Sequence, residues 1–161
     1  MADGELQPLD PVLWFESLGR LRRAARGREG RIENRLRQAY YLATLAPPPL
    51  SALARCEMDE TAFEALLERA AFEAAAVSLI GPILSFEIVR GWPGQGIFAR
   101  VWVEDLSGEA QGVSGCVAFA LLQAWVELVL QFRKQPPMGC LAPPRDQHRS
   151  QSGQPPKPIW H

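Results

Sequence analysis

The segment from Ser114 to Phe132 limits how this chain can fold more than any other stretch. Ala118, Leu121, Trp125, Leu128 and Phe132 sit at heptad-like spacing, and Val117, Phe119, Ala120, Val126, Val129 and Leu130 fill most of the remaining circumference. A helix apolar on almost every side must be covered on almost every side. Gln123, Glu127 and Gln131 recur every four residues and draw one polar stripe along it. A charged residue in mid-span costs about 3 kcal/mol in lipid, so the segment reads as a buried helix and no membrane partner is expected. Two covers suit it. One is the chain's own N-terminal helices. The other is a second subunit or a partner protein, which makes Trp125, Leu128 and Phe132 candidate protein-interaction residues.

Ahead of this helix the hydrophobic period changes from 3.6 to 2. Leu84, Phe86 and Ile88 alternate with Ser85, Glu87 and Val89. After Gly91-Trp92-Pro93-Gly94-Gln95-Gly96, Ala99, Val101 and Val103 alternate with Phe98, Arg100, Trp102 and Glu104. Two such runs around a Gly/Pro loop predict a β-hairpin. One register satisfies both faces: Ile88 with Ala99, Phe86 with Val101 and Leu84 with Val103 make an apolar face, and Glu87 meets Arg100 on the other. Glu109 to Val113 can add a short third strand, and Ser114 is expected to cap the final helix. Phe98 and Trp102 fall on the face away from that apolar core. Large aromatics there are either covered, the N-terminal helices being the expected cover, or used as a binding patch. The loop glycines suit a hairpin turn rather than a phosphate site, because a strand and not a helix follows them.

The N-terminal part opens with its own signals. Asp10 can cap a helix, Pro11 suits its first position, and Trp14, Leu18, Leu21 and Ala25 follow at helical spacing. A second helix runs from about Arg31, with Ile32, Leu36, Ala39 and Ala43 on one face, until Pro47-Pro48-Pro49 stops it. The pair predicts a helical hairpin. After a short helical turn, Leu50 to Arg55, a further helix is expected from Asp59 to about Ile80, with Phe63, Leu66, Leu67, Ala70, Ala74 and Val77 toward the core. Glu60, Glu64 and Glu68 on its other face argue against DNA reading by the helix-turn-helix-like stretch Ala52 to Leu67.

Charge is unevenly placed although the net is −1. Gly19 to Arg37 holds Arg20, Arg22, Arg23, Arg26, Arg28, Arg31, Arg35 and Arg37 against Glu29 and Glu33. Such a face either pairs with the acidic middle of the chain or contacts an anion or nucleic acid. The near-neutral balance excludes both a strongly basic nucleic-acid coater and an acidic solvating protein. With 161 residues and 47% hydrophobic content, the chain is one packed domain over 10–133, comprising the helical hairpin 10–46 and an α-β-β-(β)-α unit over 59–132,. Residues 1–9 are a flexible N-terminus without the apolar core of a signal peptide. Residues 134–161 hold seven of the fourteen prolines and read as a disordered tail,. Its proline clusters Pro136-Pro137, Pro143-Pro144 and Pro155-Pro156-Lys157-Pro158 are candidate polyproline ligands.

Cys56, Cys116 and Cys140 are an odd, unspaced set, which fits reduced thiols in a cytoplasmic compartment and no metal site,. Both histidines, His148 and His161, lie in the tail, and no nucleophile has a visible base. Among the acids, Glu87 and Glu104 are the ones a carboxylate site would need. No catalytic residue, cofactor, metal or small-molecule ligand is expected.

The order helix, strand, strand, short strand, helix over residues 59–132 resembles the double-stranded-RNA-binding domain, with Ser114 opening the final helix as that family's capping residue does. The resemblance implies a sheet beneath two helices. The family's phosphate-gripping lysines at that helix start correspond here to Gly115, Cys116 and Val117, and its histidine-bearing loop to Gly91–Gly96, so duplex-RNA binding is not implied. The same order is also similar to small αββα sandwiches of phage and mobile-element proteins. The expectation is an α+β, non-enzymatic protein that binds a protein partner or forms a homodimer. The alternative is nucleic-acid binding by the arginine-rich helices, in a protein of phage or mobile-element origin.

Overall fold

A computed structural model describes residues 7–27, 31–104 and 108–133. The tail expected over 134–161 and most of the flexible N-terminus lie outside the described residues. Asp10 accepts hydrogen bonds from the N–H groups of Val12 at 2.9 Å and Leu13 at 3.4 Å, and α1 (Pro11–Arg26) follows. Its buried stripe is Trp14, Leu18, Leu21 and Ala25, widened by Phe15. α2 (Ile32–Thr44) buries Leu36, Ala39 and Ala43 together with Tyr40 and Leu42. The two form the expected hairpin, and the Trp14 indole N–H donates across it to the Leu42 carbonyl at 2.7 Å.

The helix expected from Asp59 to Ile80 is two helices. α3 (Glu60–Glu68) is capped by Asp59, which accepts from the Ala62 N–H at 2.9 Å, and α4 (Phe72–Ser78) starts afresh. Between them Ala70 adopts φ +54°. The Ala71 N–H reaches the Leu66 carbonyl at 2.9 Å and the Ala70 N–H reaches Leu67 at 3.0 Å. That bond pair is a Schellman ending whose left-handed residue is usually glycine. Alanine, the best helix former, hides the break from periodicity reasoning. Because α4 takes a new direction, it buries Ala75 and Ala76, while Ala70 and Ala74 of the expected stripe are exposed.

Three antiparallel strands follow, β1 (Leu84–Arg90), β2 (Ile97–Val103) and β3 (Glu109–Ser114), in the order β1-β2-β3. The hairpin register is the expected one, with Leu84 opposite Val103, Phe86 opposite Val101, Glu87 opposite Arg100 and Ile88 opposite Ala99. The Gly91 N–H closes the loop on the Gly96 carbonyl at 3.1 Å, and Gly94 and Gly96 take φ of +91° and +82°, values costly for any residue with a Cβ. Ser114 ends β3 opposite Ile97 instead of capping a helix. α5 (Val117–Gln131) begins after Cys116, with no side-chain cap.

α5 lies across β2 and β3, on the face of Ala99, Val101 and Ala110. Gly112 permits this closeness: a Cβ there would run into the Ala120 carbonyl and come within 2.8 Å of the Ala124 nitrogen. On its other sides α5 meets α1, α2 and α4. The layers are therefore sheet, α5, and remaining helices. This differs from two helices side by side on the sheet, as the resemblance implied, since α4 packs on α5 and α2. The N-terminal hairpin covers α5 and not Phe98 and Trp102. No helix of the described residues is long and apolar enough to cross a membrane.

Replacing Ala70 with glycine relieves the left-handed strain, and is expected to raise stability by about 0.5–1 kcal/mol after glycine's entropy in the unfolded chain is counted. Chemical denaturation of both chains measures it.

Candidate protein-interaction surface

The strand register sets the outer face of the sheet in rows. Val89, Phe98 and Val113 stand side by side, then Glu87, Arg100 and Gln111, then Ser85, Trp102 and Glu109. The first row is apolar and open, with Val89 49%, Phe98 40% and Val113 48% exposed. Trp92, in the loop at that end of the sheet, is 78% exposed. Among the described residues no element covers this face. Phe98 is thus presented as an open patch, and Trp102 is half-buried two rows away.

Between these aromatics lies Arg100. Its Nη2 donates to Glu109 Oε2 at 2.6 Å and its guanidinium sits 5.2 Å from the centroid of the Trp102 ring. The hydrogen bond raises the Arg100 pKa and lowers that of Glu109 below the usual carboxylate value. The expected Glu87–Arg100 pair is opposite in register, but Arg100 makes its ion pair with Glu109 on β3 instead. Charge on this face is balanced rather than basic.

The other candidates fall differently. Trp125 and Leu128 are wholly buried and Phe132 nearly so. They contact the chain's own sheet and helices, so they are core residues in this protein and not a docking surface. The Trp125 indole N–H is buried without a hydrogen-bond partner among the described residues. The polar stripe of α5 fastens its neighbours. Gln123 donates to the Ala25 carbonyl at 2.8 Å and accepts from the Val113 N–H at 3.2 Å, and Gln131 donates to the Glu109 carbonyl at 2.7 Å. Glu127 meets Arg26 at 2.6 Å and Arg22 at 3.6 Å.

The arginines divide accordingly. Arg37 is held by Glu64 through two bonds of 2.7 Å and by Glu33 at 3.0 Å. The pairing expected with the acidic middle of the chain is thus made by Arg37 with Glu64 and by Arg22 and Arg26 with Glu127. Arg35 is half-buried on α2, Arg31 is exposed just before it, and Arg28 lies outside the described residues. Arg20, Arg22 and Arg23 line a groove of about 450 Å³ with Phe15, Glu16, Gly19, Leu130 and Arg133. Arg133 stacks 5.8 Å from the Phe15 ring centroid. Sequence reasoning missed Arg133, because only the packing of α5 on α1 brings it there. It also missed Val89 and Val113 as partners of Phe98, although alternation alone puts all three on one face.

Glu87 and Glu104 are both exposed, and Glu104 accepts from the Ser85 hydroxyl at 3.0 Å. Burial pushes the half-buried Cys56 thiol up, and its Sγ donates to the Ser78 carbonyl at 3.1 Å. Cys116 is an exposed free thiol. Among the described residues no three His, Cys, Asp or Glu side chains group to hold a metal ion.

These features define a class by fold and surface: an α+β protein whose antiparallel sheet is covered on one face and open on the other. Comparison with protein-family models, curated proteins and solved structures finds no match for this chain.

The Arg37 contacts give a pH prediction. Hydrogen bonds from Arg37 lower the Glu64 pKa from its ordinary 4.5. A depressed carboxylate adds stability that is fully present above the unfolded value and is lost as pH falls through the folded one. Thermal melts of the wild type should therefore drop more steeply below about pH 4.5 than those of Glu64→Gln, whose midpoint should already be lower at pH 7,.

Proposed function

We propose that this chain is a non-enzymatic protein-binding module that docks its partner on the outer face of its sheet. The observation that carries this reading is the exposed row Val89–Phe98–Val113, one apolar side chain from each strand, extended by Trp92. Contiguous exposed apolar side chains are a mark of protein-interaction sites. Aromatic side chains are the commonest anchors of such interfaces, and Phe98, Trp92 and Trp102 supply three. We place the protein in a reducing, cytoplasmic compartment, in keeping with the free thiols of Cys56 and Cys116.

A second reading, nucleic-acid binding, draws support from the groove in which Arg20, Arg22 and Arg23 are joined by Arg133. The two readings separate by mutation and salt. Under the first, affinity capture from the native host yields a partner that Phe98→Glu loses, that Arg20→Ala/Arg23→Ala keeps, and that survives moderate salt. Loss of about tenfold or more in affinity is expected for burying a charge in the patch. Under the second, binding to a mixed-sequence oligonucleotide falls steeply with salt and vanishes with the arginine variants, while Phe98→Glu leaves it unchanged.

A further inference from the structure

Both outer strands of a three-stranded sheet expose unpaired backbone groups, and folded proteins usually blunt such edges. The two edges here are treated unequally. The Val103 N–H bonds the Gly108 carbonyl at 3.2 Å. In an antiparallel ladder the direction alternates, so Glu109, Gln111 and Val113 turn their N–H and C=O groups outward from β3. α5 meets two of these groups with side chains: Gln131 takes the Glu109 carbonyl and Gln123 takes the Val113 N–H.

On β1 the Gly91 N–H bonds to the Gly96 carbonyl. Counting back by twos, Val89, Glu87 and Ser85 face β2, while Phe86, Ile88 and Arg90 turn outward. The outward Leu84 N–H is already taken by the Gly81 carbonyl at 3.0 Å. Among the described residues nothing bonds the outward groups of the other three. Beside them, Ile88 is half-buried against the core and Arg90 is exposed. Phe86, on the inner face, is 39% exposed because α5 lies over β2 and β3.

We propose that β1 is a dimerisation edge that pairs antiparallel with β1 of a second copy, about a two-fold axis at Ile88. The three outward residues are spaced symmetrically around Ile88. In that register Ile88 lies opposite the second copy's Ile88, and Phe86 opposite the second copy's Arg90. Every outward N–H of one strand then meets an outward C=O of the other. No like charges stand directly opposite: Arg90 faces an aromatic ring, and Glu87 faces the second copy's Val89. Phe86 and Ile88 of both copies gather into one apolar strip between the two α5 helices. The result is one continuous six-stranded sheet, an isologous contact of the kind that closes at two subunits. Val89 belongs both to this strand and to the row of Val89, Phe98 and Val113, but the edge pairs through the outward backbone groups of Phe86, Ile88 and Arg90 and so does not rest on partner docking at that row.

The test uses the full chain. Light scattering across a concentration series should show the mass rise from 17.9 kDa to twice that value. Amide exchange read residue by residue should slow about tenfold for Phe86, Ile88 and Arg90 as the dimer forms, while Glu87 and Val89, already bonded to β2, stay unchanged. Ile88→Lys, which sets two charges across the axis, should remain a monomer with α5 amides as protected as in the wild type. Three results overturn the proposal: a monomer at every concentration, a dimer whose Phe86, Ile88 and Arg90 amides stay fast, or a dimer that persists in Ile88→Lys. The exchange pattern of the wild type decides the matter should the variant fold poorly. A dimer broken by Phe98→Glu but not by Ile88→Lys assigns self-association to the outer face instead.

Discussion

The close approach of α5 to the sheet is the constraint on which the other elements depend. A helix carrying Leu121, Trp125, Leu128 and Val129 must lose water on all sides,. It reaches the strands only because Gly112 and Ala110 leave room beneath it. Once seated over β2 and β3, it presents its remaining faces to α1, α2 and α4, which close over it. Its few polar residues are spent at the seams. Gln123 ties α1 to β3, Gln131 holds the far end of β3, and Glu127 draws in Arg22 and Arg26. A single element thus organises both layers around it.

That arrangement leaves an asymmetric sheet. α5 is one helix wide, so it shelters two strands and leaves β1 partly bare, as the exposure of Phe86 shows. The helices that could have covered the outer face are occupied on α5. The row of Val89, Phe98 and Val113 is open for this reason, and so is the edge at Ile88. Both proposed surfaces follow from one packing choice. The arginine-rich face is less open than its composition suggests, because Arg22, Arg26 and Arg37 are tied to carboxylates across the fold.

Much of the fold was legible where the signal was local. Asp10-Pro11 marked the start of α1, the proline run ended the helical hairpin, and alternation in two short strands fixed the register of Glu87 against Arg100. The failures share a cause. Ala70 looks helical because alanine favours helix, yet tertiary contacts of Ala75, Ala76 and Leu79 reward a change of direction there. Ser114 looks like a cap because serine often is one, yet pairing with Ile97 keeps it in the sheet. In both places a weak local preference yielded to packing.

The sequence by itself determined most of the helices and strands, though not the break at Ala70 or the strand end at Ser114, and with them which side chains of each strand share a face and that α5 must be enclosed. These follow from periodicity and from the free energy of removing apolar surface from water, both carried along a single element. Only the tertiary structure decided what encloses α5, which sheet face stays in solvent, and which carboxylate meets each arginine. Those outcomes depend on how distant segments compete for the same apolar surface. With α1 and α2 able to cover either α5 or Phe98 and Trp102, the larger and more continuous surface of α5 claimed them.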